Sequence, residues 1–161
     1  MIFKSKLKTN YIVIPLITIL VAVLGSWFTS VGINIGWYDT LIKPEFNPPS
    51  WLFGPVWTTI YILTTTSALI WWNKIKRDWW WKLIGVVFVY NAVVNVSWSL
   101  AFFYLTEIGL AVWLATEVLA SVLVLMILLW PRSRTASFLL LPYLLWVSFA
   151  TFLNYILWTL N

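Results

Sequence analysis

Five apolar runs, near residues 11–33, 55–73, 83–105, 108–130 and 135–159, constrain this chain more than any other feature. Each is close to the roughly 20 helical residues needed to cross a hydrocarbon layer of about 30 Å. None of them alternates with period two, so they do not read as strands of a membrane barrel. Apolar throughout, they read as helices, whose backbone hydrogen bonds close internally and need no water. The expected fold is all-α: an integral membrane protein, a bundle of five transmembrane helices forming a single domain over residues 1–161. Composition agrees, because 62% of the residues are hydrophobic and only 9% are charged. The first run follows Lys4, Lys6 and Lys8, but it is longer than a signal-peptide core and shows no A-x-A cleavage signature, so it is kept as a permanent span.

Charge placement sets the orientation. Lys4, Lys6 and Lys8 precede the first run, Lys74, Lys76, Arg77 and Lys82 lie between the second and third, and Arg132 and Arg134 lie between the fourth and fifth. Nine of the ten basic residues therefore share one face, and Lys43 alone is left for the other. Basic residues stay in the cytoplasm, so the N-terminus is expected inside and the first loop and C-terminus outside. The expected address is the cell membrane of a bacterium or archaeon. A net charge of +5 in these positions reports topology and gives no reason to expect a nucleic-acid partner. The chain has no cysteine and no histidine, which excludes disulfides, thiolate chemistry and an imidazole base or ligand, so no metal site is expected.

The loop over residues 34–54 is different in kind. Pro44, Pro48 and Pro49, with Pro55 just beyond, remove backbone donors and fix φ, so Lys43 to Pro49 is expected to be extended or turned and stiff. Trp37, Tyr38, Phe46, Trp51 and Phe53 are too many aromatics for a solvated linker and are expected to lie on something apolar. The loop reads as a lid over a site within the membrane. Of the 14 tryptophans, Trp71, Trp72, Trp79, Trp80, Trp81 and Trp130 fall at cytoplasmic span ends and read as headgroup anchors.

Within the spans, helical spacing gathers aromatic and polar residues onto common faces. Trp57 and Tyr61 share one on the second, Asn91, Asn95 and Trp98 on the third, Trp113 and Glu117 on the fourth, and Tyr143, Trp146, Ala150 and Asn154 on the fifth. Amides and carboxyls in hydrocarbon face the bundle interior, so these faces are expected to converge. Asn91 and Asn95 serve either as glue between helices or as ligand contacts. Glu117, the one ionisable residue deep in a span, is expected to be a buried neutral acid bonded to an Asn or Ser, with proton-coupled transport as the alternative. Gly25 with Thr29, and Ala111 with Ala115, form small-xxx-small pairs that let helices approach closely.

The motifs W-Y-x-x-L-x-K-P-x-x-x-P-P from Trp37, G-P-V-W-x-x-x-Y from Gly54, N-x-x-x-N-x-x-W from Asn91 and P-Y-L-x-W-x-x-F-A-T-x-L-N from Pro142 together resemble the tryptophan-rich sensory protein/translocator protein family, also called the peripheral benzodiazepine receptor family. The resemblance runs from about Gly25 to Asn161. It implies five helices, a homodimer, and binding of porphyrins and other hydrophobic ligands. The family's pocket positions fall on Tyr38, Trp57, Tyr61, Asn91, Asn95, Trp98, Trp146, Phe149, Ala150 and Asn154, and its fourth-span acid on Glu117. The family's cholesterol pattern needs a basic residue beyond Tyr155, and residues 156–161 supply none.

Indoles, phenols and amides under an aromatic lid suit a flat apolar molecule with a few polar edges, such as a porphyrin or other tetrapyrrole. Without histidine, a metal-free tetrapyrrole, or haem held by stacking and propionate contacts, fits better than axially ligated iron. Lys43 is the natural propionate partner. No catalytic residues and no required cofactor are assigned. Three readings stay open: binding, sensing or transport of such a ligand; light- and oxygen-dependent porphyrin degradation; and a small proton-coupled exporter or steroid and lipid translocator.

Overall fold

The computed structural model describes residues 9–161. Lys4, Lys6 and Lys8 lie outside the described residues. Every regular element among the described residues is helical: α1 (Asn10–Asn34), α2 (Trp37–Thr40), α3 (Ser50–Lys74), α4 (Trp79–Ser99), α5 (Ile108–Leu129), α6 (Arg134–Phe138) and α7 (Leu141–Leu160). A π-helical turn, Leu100–Tyr104, continues α4.

Length and apolarity suffice to cross a membrane in four stretches: Asn10–Asn34, Trp79–Tyr104, Ile108–Leu129 and Arg134–Leu160. α3 is as long as α1, with 25 residues each. Its threonines, tyrosine and tryptophans dilute its apolar character, so composition alone counts four spans where five were expected. This is a multi-pass membrane protein.

The helices form a ring. α1 packs on α3 and α4, α4 on α5, and α5 on α7, while α6 and a thin contact with α7 close the circuit against α3. α1 and α3 run antiparallel, joined by the Thr65 hydroxyl donating to Thr18 at 2.8 Å. Two apolar clusters fill the two ends. Ile60, Trp71, Ile84, Val122, Leu125, Leu129 and Leu140 occupy the end carrying the basic links. Leu41, Ala101, Phe102, Phe103, Ala111, Leu153 and Leu157 occupy the end under the first loop. Outward faces stay apolar, as lipid contact demands, with Leu20, Val23, Val86, Val89 and Ile127 all exposed.

Local chemistry explains the element ends. Asp78 caps α4 by accepting from the Trp81 amide at 3.0 Å, and Ser133 caps α6 by accepting from the Ala136 amide at 3.3 Å. Gly36, at φ 74°, turns the chain from α1 into α2 in the left-handed region that glycine enters without a Cβ penalty.

Several expectations need correction. The loop of 34–54 is shorter and partly helical: Trp37–Thr40 form a turn of helix, and α3 starts at Ser50, not near 55. Pro49 sits extended (φ −62°, ψ 141°) as the residue before the helix, so Pro48 and Pro49 are its stop signal upstream. Pro55 is accommodated inside α3 because losing one N–H near the start leaves only the Trp51 carbonyl unpaired. The lid aromatics do not all lie on an apolar bed: Trp51 is 71% exposed, and Phe46, which stacks on Phe152, is also exposed. The fifth run breaks at Leu139–Leu140, with Pro142 in the first turn of α7. Finally, Trp71 is no headgroup anchor. It is buried, its indole N–H donates to the Trp81 carbonyl at 3.1 Å, and its ring stacks on that of Trp81 at 4.8 Å.

Candidate functional site

A cavity of about 620 Å³ lies inside the ring, beneath α2 and toward the loop end. α1 gives it a face of small side chains, among them Ala22, Gly25, Ser26 and Thr29, whose 3–4 residue spacing keeps them together. Opposite stand the aromatics: Phe53, Trp57 and Tyr61 from α3, Trp98 from α4, and Trp146 from α7. Ala150 beside Trp146 leaves room against the indole. Ser26 and Ser30 of α1, with Gly54 and Thr58 of α3, line the cavity and remain exposed, so it is open between these two helices.

The π turn shapes the upper wall. Its Leu105 amide bonds back to the Leu100 carbonyl at 2.9 Å, one residue further than an α-helix allows. Phe102 and Phe103 thereby both face inward. Trp98 stacks on Phe102 (5.6 Å, 16°) and meets Phe103 edge-on (6.0 Å, 90°). Trp37 in turn caps Phe102 at 5.1 Å. The Trp98 indole N–H is used within the protein, donating to Asn154 Oδ1 at 2.8 Å.

Over this wall sits the roof. Tyr38 and Asp39 of α2 line the cavity, and the Lys43 ammonium stands 4.4 Å from the Tyr38 ring centre and 4.0 Å from the Asp39 carboxylate. Partial burial pushes the Tyr38 phenol above its ordinary pKa, helped by Asp39 and opposed by its hydrogen bond to Asn47. Asn161 pins the loop: it accepts from the Ile42 amide at 2.8 Å and donates to the Ile42 carbonyl at 3.1 Å.

The floor is a hydrogen-bonded row. The Tyr61 hydroxyl reaches Asn95 Oδ1 at 3.5 Å, Asn95 Nδ2 donates to the Tyr143 hydroxyl at 2.9 Å, and Tyr143 donates to Asn91 Oδ1 at 3.2 Å. Asn91 Nδ2 continues to the Ser121 hydroxyl at 2.9 Å.

Of the residues singled out from sequence, Tyr38, Trp57, Tyr61, Asn95, Trp98, Trp146, Ala150 and Asn154 line this one cavity. Asn91 does not; it lies behind Tyr143 as glue between α4 and α5. Phe149 packs on Trp146 (5.8 Å) and on the upper apolar cluster, outside the lining. Lys43 stands behind Tyr38 at the roof. The fourth-span face is the clear departure. Trp113 is 64% exposed on the outer surface, and Glu117 accepts a hydrogen bond from the Tyr90 hydroxyl at 2.7 Å, with no Asn or Ser involved. The reason is that α5 spends its small face on packing: Ala111, Ala115, Val118 and Val122 are buried toward α4 and α7, and that turns Trp113 and Glu117 outward. Gly25, expected with Thr29 at a close helix contact, lies at one, since a Cβ there would stand 3.4 Å from the Ser99 hydroxyl of α4, and both residues also line the cavity. Phe53 was expected as part of the lid and lies in the wall, whereas Ser99, Phe102 and Phe103 were not foreseen. Phe102 follows Trp98 by four residues, a spacing that could have flagged it, whereas Phe103 needs the π turn.

The model of the TspO/MBR family matches residues 13–159, nearly the whole chain. The chain belongs to the TspO/MBR family. It is 40% identical over 142 residues to the tryptophan-rich protein TspO of Chlorobaculum tepidum, covering 85% of this chain and 86% of that protein. It is 35% identical over 156 residues to the tryptophan-rich protein TspO of Archaeoglobus fulgidus, covering 92% and 98%. The human translocator protein is 31% identical over 140 residues, 86% of this chain and 82% of that one. Relatives thus occur in bacteria, archaea and animals, and this TspO/MBR protein keeps its aromatic cavity within the matched region.

Proposed function

We propose that this TspO/MBR protein binds a flat, largely apolar ligand of the tetrapyrrole class in the cavity below α2, as a sensor or carrier within the membrane. The observation that carries the reading is the cavity itself: about 620 Å³, within the range of roughly 300–1,000 Å³ typical of small-molecule sites, and walled by three indoles, three phenyl rings and two phenols. Indole faces favour offset or edge-on contact with another π-system. The opening between α1 and α3 suits arrival from the lipid phase. Lys43 is held by Asp39 and Tyr38 at the roof, where a ligand carboxylate would compete with Asp39 for it. In this reading α3 crosses the membrane as the fifth span, because it runs antiparallel to α1 at the same depth, from Thr65 beside Thr18 to Tyr61 near Gly25. A homodimer is the assembled form this reading carries.

Titration of the purified protein with metal-free porphyrin, followed by tryptophan quenching, tests it. Trp146→Ala should weaken binding at least about fivefold, since stacking adds on the order of 1 kcal/mol beyond burial. Ala150→Leu should block the site. Trp80→Ala, at an exposed indole 4.8 Å from the Arg132 guanidinium at the opposite end, should change nothing. Equal affinities for all four well-folded proteins would place the ligand elsewhere.

A further inference from the structure

The row of polar groups under the cavity has a direction, and the direction determines what its first member can do. Its far end is the Val118 backbone carbonyl, which accepts from the Ser121 hydroxyl at 2.8 Å and lies 3.5 Å from Asn91 Nδ2. A carbonyl only accepts. Ser121 has therefore spent its single proton, and Asn91 must present its NH2 to both, because the flipped amide would set oxygen against oxygen. Asn91 Oδ1 then faces Tyr143 and takes that hydroxyl's only proton. Tyr143 is left to accept, so Asn95 presents Nδ2 to it and turns Oδ1 toward Tyr61.

The consequence falls on Tyr61, the one hydroxyl of this row that lines the cavity. Its proton is directed to Asn95. Turning that proton into the cavity would strand the oxygen of Asn95, a residue only 4% exposed. Among the described residues no group donates to the Tyr61 oxygen, so its lone pairs are free on the cavity side. Resting on the ligand-binding reading above, we infer that Tyr61 is a specificity-determining acceptor: among flat apolar ligands it selects those presenting an N–H or O–H donor at their edge. The buried Asn95–Tyr143–Asn91–Ser121 row holds it in that role.

Three tricyclic probes of one shape test this directly: carbazole carries an N–H where fluorene carries a CH2 and dibenzofuran an ether oxygen. Their affinities for the full chain in detergent should rank carbazole first, at least about fivefold tighter than fluorene, which is one neutral hydrogen bond's worth. Dibenzofuran should bind no better than fluorene. In Tyr61→Phe, carbazole should fall to the fluorene value while fluorene itself stays within about twofold, showing an intact cavity. Ala150→Leu should abolish binding of all three. Equal affinities in the unmodified protein, dibenzofuran binding tightest, or a carbazole preference that survives Tyr61→Phe would each overturn the inference while leaving the cavity reading in place. Absence of binding by all three, or binding indifferent to Ala150→Leu, would overturn the cavity reading and this inference together.

Discussion

At the scale of single residues, the most consequential positions for the architecture are glycines whose missing side chain is the contact. A Cβ on Gly32 would stand 2.5 Å from the Phe103 carbonyl oxygen and 2.9 Å from its Cβ, so α1 and the π turn touch backbone to backbone there. A carbonyl cannot rotate away as a side-chain tip can. Gly32→Ala should therefore cost about 1–3 kcal/mol of overpacking, more than the roughly 1 kcal/mol an alanine gains in helix propensity. Gly54, with nothing within 4 Å of its would-be Cβ, is the matched control. Thermal unfolding in detergent should show Gly32→Ala several degrees lower and Gly54→Ala unchanged or raised. Neither difference is visible in the sequence, where both are glycines in apolar surroundings. The asparagines are a similar case. Spacing placed Asn91 and Asn95 on one face, but only the position of Tyr143 decides that Asn95 meets the cavity and Asn91 lies behind it.

At the scale of elements, the roof over the cavity is held by few contacts, and they are separable. Asn161 binds both backbone groups of Ile42 and also donates to the Leu157 carbonyl at 2.8 Å, tying the loop to the end of α7. Asn161→Ala should release that tie and quicken porphyrin dissociation severalfold while leaving the Trp146 and Ala150 wall intact; stopped-flow quenching reads this as a raised off-rate with little change in on-rate. Replacing Pro48 and Pro49 by glycine should act in the same direction by another route, restoring chain entropy to the segment that leads into α3. An unchanged off-rate in both would make the loop a connector only. The long helices were legible because lipid demands unbroken apolar runs, and their cores fell within a few residues of the observed limits. The start of α3 was not, because Pro55 reads as a breaker although one missing bond near a helix start is tolerated. The π turn was not legible either, since Leu100–Tyr104 has the composition of the α-helix it extends.

For the whole molecule, the distribution of basic residues bears on which way the ring of helices faces. Arg132 beside Trp80, at 4.8 Å, brings the link after α3 and the link after α5 to one end, and Ser67 bonding to the Ala136 carbonyl at 2.7 Å ties α6 to the same region. Lys74, Lys76, Arg77, Lys82, Arg132 and Arg134 all gather there. The first loop and Asn161 meet at the opposite end, where Lys43 is the lone basic residue among those described. Because α1 finishes beside that loop, its start lies at the basic end, in line with Lys4, Lys6 and Lys8 preceding it in sequence. By cytoplasmic retention of basic links, Lys76 is expected inside and the loop outside. The chain has no cysteine of its own, so single cysteines report without background. Glu45 and Lys76 are both exposed, one at each end. In intact cells an impermeant maleimide should label Glu45→Cys and spare Lys76→Cys, with labelling of Lys76→Cys appearing only after permeabilisation. The reverse pattern would invert the molecule and put the roof and Lys43 in the cytoplasm. Labelling of both in intact cells would mean that α3 does not cross, leaving four spans and an opening between α1 and α3 that no longer faces the bilayer.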